Sequence, residues 1–241
     1  MNSSGFDNEN KIKTSLNNKK IEDLNQNLQK LIRDSFDNYS GTIKCSKQAG
    51  KNKSDLKINI GNESHTYSIK KGTGNSIHQE GIEDFLKFLD NYSITNQAKD
   101  NLRLFIWGDE TLNGAGQVKN RLSASKFKKK YPKKVSEIQD FFKIIKDELI
   151  QRFVITGAKS EISAEFIYYG TTHEGTCCKS SQVATWISNN PSSGAINIGR
   201  LTFQAWNRNI NGGDKSEKKR GVIQLKWGSI KDDIKIIYNE K

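Results

Sequence analysis

The chain has 241 residues, 39 Lys and Arg against 27 Asp and Glu, and a net charge of +12. That length buries enough apolar surface for a packed core without a disulfide or metal staple, and the charge favours a polyanionic partner, nucleic acid before an anionic membrane. No apolar run approaches the ~20 residues a spanning helix needs, and the opening MNSSGFDNENKIK lacks the apolar stretch of a signal peptide, so a cytoplasmic protein with no membrane partner is expected.

Residues 1–18, rich in Asn, Lys and Ser, suggest a flexible arm. From Ile21 to Phe36 the apolar positions Ile21, Leu24, Leu28, Leu31, Ile32 and Phe36 recur at three- and four-residue intervals, as on an amphipathic helix with Glu22 and Asp23 on its polar face. Leu56, Ile58 and Ile60, a Gly-Asn turn, then Tyr67 and Ile69 read as an antiparallel hairpin with Asp55 and Lys70 near one edge. After the small-residue break GTGNS, His78 to Leu89 has helical spacing, and LRLFIWG (102–108) reads as a short strand or buried segment. A helix from Ser136, its candidate cap, to about Phe153 follows. ISAEFIYYGT (162–171) is a further strand, QVATWISN (182–189) a short helix or strand, and INIGRLTFQAWNRN (196–209) pairs with RGVIQLKWG (220–228) around the tip NINGGDKSEKK. No repeat is visible, and the element order suggests a mixed α/β or α+β domain over 19–241, with 176–241 as a C-terminal ribbon. The three cysteines, Cys45, Cys177 and Cys178, are odd in number and two are adjacent, so free thiols are expected.

A carboxylate at one strand end can hold a hard divalent cation, while a lysine on the adjacent strand positions water and stabilises charge developing on a phosphoryl group. Ser54-Asp55 followed by Ser68-Ile69-Lys70 resembles the PD-(D/E)XK nucleases, whose pattern is an acid, a variable gap, then acid-any-lysine. KSDLKINI, YSIKKGTGNS, AEFIYYG, INIGRLTFQ and VIQLKWG also come in the order and spacing of MspI-like and HinP-like type II restriction endonucleases, over roughly residues 20–230. The resemblance implies a restriction-endonuclease-like core, a central mixed sheet flanked by helices, and Mg²⁺-dependent hydrolysis of double-stranded DNA at a short, four-base palindromic site. It implies Asp55 as the metal-binding aspartate and Lys70 as the catalytic lysine, with Ser68 where relatives carry an acid or amide. Ser68 and Lys70 share a strand face, and Lys71 points away. A missing metal ligand would come from Glu22, ranked first, or from Glu63 or Glu80. His65, His78 and His173 lack partners at ligand spacing.

For DNA contacts, KFKKKYPKK (126–134) offers Lys128, Lys129 and Lys130 to phosphates, or is a solvated loop. Arg200, Gln204, Asn207 and Arg208, with Gln224 and Lys226 on the return strand, carry the donors and acceptors that match base edges in the major groove. The alternative is a hairpin whose Phe203 and Trp206 pack on the core. A type II site-specific deoxyribonuclease is the leading expectation, as monomer or homodimer. A non-cleaving DNA-binding protein and a mismatch- or structure-directed repair nuclease are the alternatives.

Overall fold

The computed structural model describes residues 3–48, 52–72, 76–159 and 161–240, so the middle of the GTGNS break, 73–75, lies outside the described residues. The strands are β1 (Lys44–Lys47), β2 (Leu56–Ile60), β3 (Glu63–Lys70), β4 (Ser76–Gly81), β5 (Phe166–Gly170), β6 (Gly175–Lys179), β7 (Ile196–Ile198), β8 (Leu201–Ala205) and β9 (Val222–Lys226). The α-helices are α1 (Ser3–Leu16), α2 (Gln26–Arg33), α3 (Ile82–Leu89), α4 (Asn96–Trp107), α5 (Ala124–Lys130), α6 (Pro132–Ile144), α7 (Lys146–Ile150), α8 (Ser180–Asn189) and α9 (Ile230–Asn239). They fall into two compact units: 1–75 with 154–186 and 228–241, and 76–153 with 187–227. The expected ribbon, 176–241, is therefore divided between them.

The first unit is built on a five-stranded sheet in the order β1-β2-β3-β5-β6. Only the β3–β5 pairing is parallel, which makes the sheet mixed. The hairpin expected at 56–69 forms because Leu56, Ile58 and Ile60 alternate onto a buried face and Gly61, at φ +56°, takes the left-handed turn position that favours glycine. Leu56 then pairs with Tyr67, whose ring stacks on Phe166 at 5.4 Å. The N-terminal stretch is not the expected arm: α1 packs along β1 and buries Ile12 and Leu16 completely. The helix expected over 21–36 is interrupted, with a 3₁₀ turn at Ile21–Asp23 and a restart at α2, where Asn25 caps the Leu28 N–H at 3.0 Å. Helix α9, which sequence periodicity did not single out, covers β5 and β6 with Ile230, Ile234 and Ile237.

The second unit is built on an antiparallel sheet in the order β4-β9-β8-β7. Its core is aromatic: Phe203 of β8 lies 5.6 Å from Phe85, 6.2 Å from Phe105 and 5.0 Å from Phe142. Three expectations change here. His78 belongs to strand β4, and the helix begins only at Ile82. LRLFIWG lies in helix α4, because Thr95 caps the Ala98 N–H at 3.2 Å and Leu102, Phe105 and Ile106 bury one helical face. The lysine run is helix α5, capped by Ser123, and Pro132 rather than Ser136 opens the next helix. Among the described residues no helix is long and apolar enough to cross a membrane.

A carboxylate between lysines at the edge of a strand pair

Asp55 immediately precedes β2, and its backbone is fixed on both sides: its N–H donates to Tyr67 O at 2.7 Å and its carbonyl accepts from Gln48 N at 3.0 Å. This clamp places the carboxylate beside the end of β3. Its Oδ2 accepts from Ile69 N at 2.6 Å, Ser68 Oγ at 3.3 Å and Lys70 Nζ at 3.3 Å. The Lys70 ammonium also donates to the Ile69 carbonyl at 3.1 Å. Asp55 and Lys70 remain about one-quarter exposed, so the pair faces solvent. The sequence-expected trio Asp55, Ser68 and Lys70 is thus brought together.

The ammonium lies against two oxygens, the Asp55 carboxylate and the Ile69 carbonyl, which are the kind of hard donors Mg²⁺ takes while keeping several of its own waters. One carboxylate, one carbonyl and the Ser68 hydroxyl fit a single, largely hydrated cation. They do not make an all-protein cage, and among the described residues no three His, Cys, Asp or Glu side chains gather as a metal cluster.

The acids considered for a further ligand have other work. Glu22 lies in the 3₁₀ turn, with its side chain 66% exposed and 3.9 Å from Lys20. Glu63 accepts from the Asp37 and Asn38 N–H groups at 3.2 and 3.0 Å. Glu80 is buried between His78, at 2.9 Å, and Arg152, at 2.6 Å. Of the other histidines, His65 bonds Glu165 at 3.0 Å between the rings of Phe36 and Phe166. All three cysteines are buried thiols outside any disulfide, and burial pushes the Cys45 thiol up to about 12.

One residue was missed by the sequence reading. Lys53, in the same Lys-Ser-Asp block, feels both Lys70 and Asp55; burial and the charge of Lys70 push it down to about 7, with Asp55 opposing. The signal was its position two residues ahead of Asp55 in the same Lys-Ser-Asp block.

In the second unit the proposed DNA-facing residues separate. Arg208 is 8% exposed and donates through Nε to Phe105 O at 3.2 Å and through Nη2 to the same carbonyl, so it clamps the end of α4 to the turn after β8. Gln224 is buried and accepts from Gln204 Nε2 at 3.0 Å, because the two residues pair directly across β8 and β9. Arg200 and Asn207 stay half-buried, and Lys226 is exposed. Lys128, Lys129 and Lys130 are exposed on α5, with Lys130 paired to Glu110.

The tip between β8 and β9 is clasped at its base. Arg121 forks onto Glu217 at 3.1 and 3.0 Å, and Arg220 reaches Glu217 at 2.9 Å and Asp109 at 2.7 Å. Asn209 Nδ2 adds a bond to Glu217 at 2.6 Å. The hydrogen bonds from Arg220, Asn209 and Arg121 hold the Glu217 carboxyl at about 2, against an ordinary 4.5. A depressed carboxylate stabilises the fold above its unfolded value, and this contribution is lost as pH falls from about 4.5 through about 2. In Glu217→Gln, urea unfolding midpoints measured across that window should therefore fall less steeply with acid than in the parent chain; identical slopes would show that the clasp is not coupled to folding.

No protein-family model matches the chain, and no curated protein matches it in sequence. Among solved structures, the restriction endonuclease MspI in complex with its cognate DNA is similar, with a TM-score of 0.50 and 14% identity, covering 76% of this chain and 70% of that one. The chain therefore has a restriction-endonuclease-like fold: mixed α and β, with a central mixed sheet flanked by helices.

Proposed function

We propose that this chain is a metal-dependent endonuclease that hydrolyses phosphodiester bonds in double-stranded DNA at a short, four-base palindromic site, as type II restriction enzymes do. The observation that carries this reading is the meeting of Asp55 and Lys70 at 3.3 Å at the ends of paired strands, on a fold shared with a restriction endonuclease. Asp55 and the Ile69 carbonyl would hold Mg²⁺, with Ser68 Oγ and water completing the shell. The bound cation would supply charge stabilisation at the phosphoryl oxygens and lower the pKa of water. Lys70, drawn to Asp55 and one-quarter exposed, orients the attacking water and offsets negative charge growing on the phosphorus oxygens. The net charge of +12 draws the duplex in.

The test is incubation of plasmid DNA with the full chain and Mg²⁺. Fragments with discrete ends, absent when Ca²⁺ or a chelator replaces Mg²⁺, support the reading; binding without any strand scission refutes it. That second result belongs to a non-cleaving DNA-binding protein, the reading favoured by the lack of a three-acid metal cluster among the described residues.

The donor set makes a further prediction. Ser68 Oγ is only 3.3 Å from Asp55 Oδ2 and donates to it, so Ser68→Ala should slow cleavage by less than about tenfold, the worth of one ordinary hydrogen bond. Glu22→Gln should cleave at the parent rate. Initial rates at saturating Mg²⁺ check both, and a dead Glu22→Gln would restore that acid as the missing ligand.

A further inference from the structure

The turn at residues 207–213 is more tightly held than a solvated hairpin tip requires. Asn209, in left-handed conformation at φ +46°, closes it: its carbonyl accepts from Gly212 N at 2.9 Å and from Arg121 Nη1 at 2.8 Å, and its side chain donates to Gly213 O at 2.7 Å. Asn209 is itself buried. At the apex of this rigid turn sits Ile210, 44% exposed. Val118, 41% exposed, lies against the same turn, since a Cβ placed on Gly212 would come within 3.4 Å of its Cγ1. Two large aliphatic side chains are thus held in water on a preorganised support, an arrangement that lowers the entropy cost of docking. The surrounding charge selects the partner: Lys119, Lys218 and Lys219 are exposed around the turn against Asp214, while Glu217 is already occupied by two arginines.

We propose that this turn is a base-reading tip, in which Ile210 with Val118 contacts the 5-methyl group of a thymine in the major groove while the lysines meet the flanking phosphates. The proposal rests on the reading of the chain as a DNA-cutting enzyme and names a specificity element for it. The thymine methyl is the apolar group that a base pair offers on its major-groove edge, and aliphatic side chains are the groups that match it. A protein partner would meet the same apolar pair, but with three exposed lysines against Asp214 at its rim.

The test uses the full chain in a Lys70→Ala background, in Ca²⁺, bound to duplexes carrying the site mapped from the ends of plasmid fragments. Each thymine of the site and of about four flanking base pairs on either side is replaced in turn by deoxyuridine, which removes only the methyl. At one position the loss of the methyl should weaken binding about three- to fivefold, the worth of one buried carbon. In Ile210→Ser, and independently in Val118→Thr, the same replacement should leave binding unchanged, with thermal midpoints like the parent's. If no position is sensitive, or if both variants keep the sensitivity, the tip does not read a methyl. Should Ile210→Ser instead convert a sedimenting dimer of the free protein into a monomer, the pair is a subunit contact and the proposal falls. Failure of the parent chain to cut or bind DNA at all would remove the underlying reading, a result distinct from normal cutting with no methyl effect.

Discussion

Asp55→Asn and Lys70→Ala should each lower single-turnover cleavage of duplex DNA by about 10²–10³-fold or more, the usual cost of removing a group that meets transition-state charge. Affinity in Ca²⁺ should change far less, because both side chains are short of the bulk of the surface and act on one phosphate. The two substitutions are not equivalent. In Lys70→Ala the carboxylate keeps the Ile69 N–H at 2.6 Å and the backbone clamp through Tyr67, so the strand ends stay in place. In Asp55→Asn the Ile69 N–H retains an acceptor, but the charges of Lys53 and Lys70 lose the carboxylate that opposes their mutual repulsion, and the amide holds a cation poorly. Lys71→Ala should be mild by comparison, since the bonds at the carboxylate come from Ser68, Ile69 and Lys70. A dead Lys71→Ala beside an active Lys70→Ala would remove Lys70 from the chemistry.

The largest loss of stability is expected at Asp109→Ala. Asp109 and Arg220 are almost completely buried, 2.7 Å apart. Asp109 also accepts from Thr111 N, Thr111 Oγ1 and Gly116 N at 3.1, 2.8 and 3.1 Å, folding the loop after α4 around itself. Gly116 is required there because a Cβ would come within 2.3 Å of the Asp109 carbonyl. Removing the carboxylate strands a buried guanidinium and three donors, at a cost of about 3–5 kcal/mol. Denaturant titration of the pure protein measures it. A loss under about 1 kcal/mol would mean that Glu217 and the Gly114 carbonyl, both also bonded to Arg220, suffice alone.

The hairpin and its acid-lysine edge were legible because a strand period of two fixes which side chains share a face, and Leu56, Ile58 and Ile60 leave little choice of register. The ribbon pair β8–β9 was legible for the same reason. Other features depended on partners far along the chain. Arg208 reads as a DNA contact until the Phe105 carbonyl is placed beneath it, and Gln224 until it is seen to pair with Gln204. LRLFIWG misled because seven apolar-rich residues fit a strand as well as about two turns of helix; the cap at Thr95 lay outside the window. Glu22 was assigned to a helix that Asn25 does not begin until two residues past the 3₁₀ turn. The Ile69 carbonyl could not be read at all, since a backbone oxygen has no letter in the sequence.

The parallel pairing of β3 with β5 joins neighbours such as Thr66 and Glu165 that stand 99 positions apart. The strand carrying Ser68 and Lys70 therefore gains its second neighbour only after a long stretch of chain has emerged and closed on itself, and loop closure of that length slows folding more than it weakens the final state. Until then β3 is a free edge, able to pair with the wrong chain. The face of β6 is covered by a segment later still in the sequence, helix α9. The Asp55–Lys70 edge thus stays unfinished until β5 has emerged, and yield should depend on chaperone supply and on low growth temperature more than the final stability would suggest.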